Sequence, residues 1–269
     1  MVIKIISYNV NGLRSATGKG LLKWLPEENP DILFIQETKI QEDQLDKLAF
    51  EYLGYQQYWS FAVKKGYSGV GILTKIKPDF YSPGIKIKKF DDEGRLIRID
   101  IGDITFINSY FPSGTTGDER QAFKMEYLDA IFQFLNDMKL IRKNIIIGGD
   151  FNIAHKPIDI NHPNRHTKTS GFLPEERAWL DQFLKSGFVD TFRIYNSQPE
   201  QYSWWSYRAN SREKNLGWRI DYHMATDTLL PRIINAGILQ NINHSDHCPV
   251  WVEVEMNSQA AAVATGRKR

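Results

Sequence analysis

One cysteine in 269 residues, Cys248, excludes both an intrachain disulfide and a cysteine-rich zinc site. It reads as a small buried residue rather than a redox handle. A dominant charge is also missing. The 34 Lys and Arg against 32 Asp and Glu leave a formal net charge of +2, so any basic surface must be local. No apolar run approaches the length of a membrane span. The N-terminus lacks a basic region, an apolar stretch and a small-residue cleavage site in series, so a cytoplasmic protein with no membrane partner is expected. There is no Pro-, Gly- or Ser-rich linker and no internal repeat. Residues 1–256 are therefore expected to form one domain. Residues 257–269, small and then basic, are expected to be a disordered tail.

What is present is apolar and aromatic. Hydrophobic residues make up 42% of the chain, with seven Trp and twelve Tyr, enough for one α/β domain with an extensive core. Short β-branched runs recur and read as strands: Val2–Ser7, Ile32–Gln36, Gly69–Thr74, Leu96–Ile101, Ile104–Tyr110, Ile145–Gly149, Arg219–Ala225 and Val250–Val254. Phe123, Leu128, Ile131, Leu135 and Met138 fall mostly at helical steps. A second helix opens at Pro174-Glu175-Glu176, where proline and acids suit a first turn, and Gly187 suits its end. Between Gly69 and Tyr110, strand follows strand without helices. That pattern argues for mixed sheets packed face to face with helices outside.

Several runs end in polar residues. The first leads to Asn9 and Asn11, the second to Glu37, the sixth to Asp150 and Asn152. Asp246 and His247 precede the last. Oxygen donors at strand ends suit a hard cation, and magnesium needs only one or two carboxylates. Glu37 and Asp246 would suffice, with Asn9 and Asn11 beside them. Asp150 could deprotonate a water while Asn152 fixes it. His247 needs a carboxylate to set its tautomer, and Asp221 is the candidate. Tyr110, ending its own run, could donate to a phosphate oxygen. From Tyr202 to Tyr222, aromatics alternate with cations, as a nucleic-acid groove requires. Each feature has a structural alternative: a surface carboxylate, a turn, a buried ring. Together they favour a phosphodiester substrate.

These residues fall in motifs that resemble the exonuclease III family of apurinic/apyrimidinic endonucleases. The motifs are Asn9-x-Asn11-Gly12-Leu13-Arg14, Gln36-Glu37-Thr38-Lys39, Gly149-Asp150-Phe151-Asn152, Gly217-Trp218-Arg219-Ile220-Asp221-Tyr222 and Ser245-Asp246-His247-Cys248-Pro249. They run in order from residue 3 to about residue 254. The resemblance implies a four-layer α/β sandwich of two mixed sheets with helices on both outer sides. It implies Mg²⁺-dependent incision (Mn²⁺ substituting) 5′ to abasic sites in duplex DNA, with 3′→5′ exonuclease and 3′-phosphatase activity alongside, by a monomer. By position, Glu37, Asp246 and Asn11 bind metal, Asp150 activates water with Asn152, and His247, Asp221 and Tyr110 serve the phosphate. Trp204, Trp218 and Ile220 line a sugar pocket, and Arg14, Lys39 and Arg208 meet DNA. Asn11 is an amide where human-type members carry Asp, and Arg208 stands in place of a DNA-inserting methionine. Two other readings stand beside this one: a phosphatase or non-specific nuclease of the same superfold, and a DNA-binding module without activity. The presence of Glu37, Asp150, Asp246 and His247 together argues against the second.

Overall fold

The computed structural model describes residues 1–257, so the expected tail lies outside the described residues apart from Asn257. In chain order the elements are β1 (Val2–Asn9), α1 (Leu13–Gly18), α2 (Leu21–Glu28), β2 (Ile32–Gln36), α3 (Lys47–Glu51), β3 (Gln56–Ser60), β4 (Val70–Thr74), β5 (Phe80–Pro83), α4 (Lys88–Asp91), β6 (Leu96–Ile101), β7 (Ile104–Tyr110), α5 (Asp118–Ile141), β8 (Asn144–Asp150), α6 (Pro174–Lys185), β9 (Phe188–Asp190), α7 (Thr191–Tyr195), β10 (Trp204–Trp205), β11 (Gly217–Trp218), β12 (Asp221–Thr226), β13 (Ile233–Ile238) and β14 (Val250–Glu255). One six-stranded sheet has the order β13-β14-β1-β2-β4-β3 and the other β5-β6-β7-β8-β12-β9. Both are mixed: β1 runs parallel to β2 and β7 to β8, and the remaining pairs are antiparallel.

Side chains alternate between the two faces of a strand, so each buried strand contributes to two cores. Ile3 and Ile5 of β1, Ile32 and Phe34 of β2, Phe106 of β7, Ile146 of β8 and Val252 of β14 meet between the sheets. Their neighbours Ile6, Tyr8, Leu33 and Ile35 pack outward with Leu21, Trp24 and Leu25 of α2. On the other side Ile107, Ile145 and Ile147 pack with Leu128, Ile131 and Leu135 of α5 and with Trp179 and Phe183 of α6. The result is the four-layer α/β sandwich that the sequence motifs imply.

The strands that sequence reading misses are mostly edges. β3 and β5 end their sheets, and their residues are half-buried or exposed, so they carry no continuous apolar run. β13, the other edge, is broken by a register shift between Ile233 and Asn235. The expected run Arg219–Ala225 begins two residues late. Arg219 leaves the ladder because its guanidinium is buried against Asp159 (2.8 Å) and Asp190 (2.7 Å). The helix begun at Pro174 ends at Lys185, with Gly187 in the left-handed conformation two residues on.

His223 of β12 sits in the inter-sheet core, its Nε2 donating to the Val250 carbonyl at 3.3 Å. Burial lowers its pKa to about 4. A histidine of the unfolded chain titrates near ~6.5, so folding holds this imidazole neutral where the open chain would charge it. The stabilisation is full above that value and is lost as pH falls toward about 4, amounting to about 3 kcal/mol. Denaturant melts across this interval should therefore show a steep acid loss that His223→Gln flattens. An unchanged slope in the variant would show that His223 does not carry it.

Candidate functional site

The inter-sheet face of each central strand is apolar along most of its length and polar at one end. On β1 the alternation Ile3, Ile5, Ser7 ends at Asn9. On β7 the same face ends at Asn108 and Tyr110, on β8 at Asp150, while on antiparallel β12 it begins at Asp221. Buried polar groups pair across the seam. The Gln36 amide donates to Ser7 Oγ (3.0 Å) and Asn108 Oδ1 (2.6 Å), and Asn108 donates to the carbonyls of Ile35 (2.9 Å) and Gly71 (2.7 Å). This layer separates the apolar core from a cleft of about 260 Å³ lined by Glu37, Tyr110, Asp150, Asn152, Asp246, His247, Trp204, Trp218 and Ile220, together with Ser113, Thr115, Thr169, Ser170 and Gly171.

Asp150 lies at the bottom, almost wholly buried. Its Oδ2 accepts from Asn9 Nδ2 (2.9 Å) and Asn152 Nδ2 (3.2 Å), and its Oδ1 from the Asn152 backbone N–H (2.8 Å). Gly148 and Gly149 let the strand reach this point. A Cβ on Gly149 would lie 1.8 Å from the Ser109 carbonyl oxygen, and one on Gly148 would lie 2.6 Å from His223 Nδ1. Burial, then the Asp221 charge, raises the Asp150 pKa well above the carboxylate range. Asp221 stands directly opposite Asp150 in the β8–β12 ladder. His247 settles that conflict: its Nδ1 bonds Asp221 Oδ2 at 2.9 Å, and its Nε2 faces Asp150 Oδ2 at 3.8 Å. Burial alone would strip the proton from His247, but Asp221 first and Asp150 next raise its pKa far above the usual value. Asp221 Oδ2 also accepts from Ser203 Oγ at 2.6 Å, an orienting contact that the sequence does not signal.

Adjacent Asp246 and His247 would face opposite ways in a strand. Here they occupy the loop before β14, and both reach the cleft. Asp246 accepts from Asn11 Nδ2 (2.9 Å), Ser245 Oγ (3.1 Å) and Trp204 Nε1 (3.0 Å). Burial raises its pKa, but His247 and these three donors bring it below the ordinary value. Glu37 follows β2 in a left-handed turn. It accepts from Asn9 Nδ2 (2.9 Å) and pairs with Lys39 (2.8 Å), which offset the effect of burial and lower its pKa. Lys39 also donates to the Asn11 side-chain oxygen. Asn9 is thus committed as a spacer: both carboxylates share its amide hydrogens, and its oxygen accepts from the Asn11 N–H at 3.0 Å. Tyr110 is buried under the Arg95 guanidinium, 4.7 Å from its ring centre. Burial, then Glu37, raises its pKa well above the usual value, so the phenol keeps its proton.

Donor atoms of Glu37, Asp150 and His247 lie within 4.8 Å of one another. A protonated His247 offers no lone pair, which leaves oxygen donors. The Lys39 ammonium already rests between Glu37 and Asn11, so the pocket accommodates positive charge. Carboxylate and amide oxygens around a cation position fit a hard divalent ion.

The aromatic and basic stretch divides into parts. β10 and β11 form a two-stranded ribbon across the seam, pairing Trp204 with Trp218, their rings edge to face at 5.9 Å. Arg212 and Arg219 turn inward. Arg212 donates to the carbonyls of Ser245 (3.2 Å) and Gln240 (2.7 Å), holding the loop that carries Asp246. Arg208 is exposed on a short turn outside the cleft lining, and Arg14 is exposed on α1 beside a separate groove. Cys248 is buried, its thiol facing the Tyr202 carbonyl.

Residues 6–247 match the endonuclease/exonuclease/phosphatase family, and the chain belongs to that family of hydrolytic enzymes. An exodeoxyribonuclease of Bacillus subtilis is 40% identical over 250 residues, which cover 92% of this chain and 98% of that protein. An AP endonuclease structure from Archaeoglobus fulgidus superposes with a TM-score of 0.87 at 31% identity, covering 94% of this chain and 100% of that one. A Neisseria 3′ phosphatase, solved with a product DNA hairpin, gives a TM-score of 0.88 at 25% identity, covering 94% and 100%.

The Asp221 contact has a spectroscopic consequence. His247 should remain an imidazolium through neutral pH, visible in ¹⁵N-resolved NMR titration. Asp221→Asn removes the largest support for that proton, so its titration should move to lower pH. An unmoved titration in the variant would assign the proton to another partner.

Proposed function

We propose that this chain is a DNA-repair nuclease that hydrolyses the phosphodiester 5′ to an abasic site in duplex DNA, leaving a 3′-hydroxyl. Mg²⁺ is the proposed ion, with Mn²⁺ as a substitute, and 3′→5′ exonuclease and 3′-phosphatase action at chain ends accompanies incision. The observation that carries this reading is the pairing of a buried carboxylate, Asp150, with a charged imidazole, His247, across 3.8 Å in one aromatic-walled cleft. Relatives named as exodeoxyribonuclease, AP endonuclease and 3′ phosphatase support it. Action as a monomer is part of the proposal. No helix among the described residues is long and apolar enough to cross a membrane.

The proposed chemistry is in-line attack of water on phosphorus: the new P–O bond forms as the bond to the 3′ oxygen breaks, and the departing 3′ oxygen takes a proton from solvent. Asp150 takes the proton of that water. Its raised basicity suits a general base, and Asn9 and Asn152 fix its oxygens. His247 donates from Nε2 to a non-bridging phosphate oxygen, while Asp221 keeps Nδ1 occupied. The Tyr110 phenol donates to the same phosphate. Glu37 would hold the ion, with Asn11 and Asp246 alongside; when bound there, it neutralises charge that develops on the phosphate. Lys39, which pairs with Glu37 at 2.8 Å beside that position, would meet the DNA backbone. Trp204, Trp218 and Ile220 receive the base-free sugar, which leaves the helix easily because it has no base to unstack. Arg208 and Arg14 contact phosphates along the duplex.

The test compares duplexes carrying an abasic analogue, a recessed 3′ end or a 3′-phosphate, with an inositol phosphate as control. Incision should vanish in chelator and return with Mg²⁺, and the inositol phosphate should stay intact. Full activity in excess chelator overturns the metal requirement. Asp150→Asn should lower incision about a thousandfold while DNA binding at fixed salt is retained. Near-parental incision by that variant would remove Asp150 from the role of base.

A further inference from the structure

Lys124 and Glu176 form an ion pair at 2.5 Å with neither side chain exposed to solvent. They lie on different helices, α5 and α6, behind the cleft and outside its lining. A buried pair of this kind contributes little net stability compared with apolar residues of the same volume. Three of its further contacts reach residues of the cleft lining: Asn152, Ser170 and Gly171. Lys124 Nζ donates to the Asn152 carbonyl at 2.9 Å. Glu176 Oε2 accepts from the backbone N–H groups of Gly171 (2.7 Å) and Leu173 (3.0 Å). Its Oε1 accepts from Gln121 (3.1 Å) and Ser170 Oγ (3.3 Å).

We infer that the Lys124–Glu176 pair is a positioning strut that sets Asn152, and through it Asp150, against the Thr169–Gly171 wall of the cleft. The inference rests on the proposed reading of the cleft as the site of hydrolysis. Asn152 needs such support, because its backbone is left-handed at a φ of 52° and its side chain must hold Asp150 while bonding the Phe111 carbonyl at 3.0 Å. The adjacent Thr169–Gly171 loop has little freedom. The Gly171 carbonyl accepts from the Ala154 N–H at 2.7 Å, and a Cβ on Gly171 would lie 2.9 Å from the Trp218 ring and 3.1 Å from the Asn152 oxygen. One ion pair therefore joins two adjacent loops of the cleft lining, at backbone atoms of both. Asn152 supports the base, and Gly171 abuts Trp218 of the sugar pocket.

The experiment compares parent, Lys124→Met/Glu176→Gln and Lys124→Arg in steady-state incision of an abasic duplex with Mg²⁺, together with thermal melting. The double variant removes both charges and the donor to Asn152, while the amide oxygen introduced by Glu176→Gln can still accept from Gly171 and Leu173. A displacement of about 1 Å at the base costs on the order of a hundredfold in rate. The expected result is a kcat loss of that order in the double variant, with KM and melting temperature near parental, and partial recovery of kcat in Lys124→Arg. Parental kcat in the double variant overturns the strut. So does a kcat loss that only tracks a lowered melting temperature and is not recovered by arginine. A parent that leaves the abasic duplex intact overturns the reading of the cleft, and the strut's role with it.

Discussion

The proton on His247 lies between two buried carboxylates that face each other across the β8–β12 ladder. Asp150 and Asp221 occupy partner positions in that ladder, each on the inter-sheet face and each almost wholly buried. An uncompensated buried charge costs several kcal/mol, so the pair calls for a cation. The imidazolium supplies that cation from outside the sheet, on the loop entering β14. The loop must then be held, which accounts for Arg212 bonding its carbonyls, Trp204 bonding Asp246 and Ser203 bonding Asp221. Much of the polar architecture around the cleft follows from keeping one proton in one place.

The rest follows from the period of a strand. Two sheets that bury apolar residues along their facing sides leave one position per strand where the facing sides part. There Asn9, Tyr110, Asp150 and Asp221 replace Ile and Phe without breaking the alternation. The Gln36–Asn108–Ser7 layer lets the change occur without orphaning the backbone carbonyls beneath it. The cleft-facing groups on the strands thus belong to the same rigid elements that make the core, while Glu37, Asn152, Asp246, His247 and the Thr169–Gly171 wall come from loops.

This explains what is legible in the sequence. Strand-end polar residues such as Asp150 and Glu37 stand out because the apolar run before them is continuous, and Asp221 follows once His247 is seen to need a partner. Gln36 and Asn108 read only as strand residues, since their pairing depends on register between two sheets. Ser203 and Lys124 give no local signal at all, because each acts through a partner at least 17 residues away, and Glu176 reads only as an acid in the first turn of its helix. The aromatic and basic stretch is legible as a set but not in its division. Burial sends Arg212 and Arg219 inward to carbonyls and carboxylates, a distinction composition cannot make. Edge strands β3, β5 and β13 escape for the opposite reason: one side faces water, so their apolar pattern is diluted.

The ladder between β1 and β14 joins the first strand of the domain to its last, from Val2 against Glu255 to Ser7 against Val250. During synthesis, the sheet that carries Asn9 and Glu37 stays open along one edge until the final strand arrives, and His247 arrives just ahead of it. Closing so long a loop makes assembly of the site one of the last folding events. A ribosome-bound chain therefore carries Asp150 for much of its elongation without the imidazole that balances it. An enzyme built this way acquires the power to cut only when its last strand is in place.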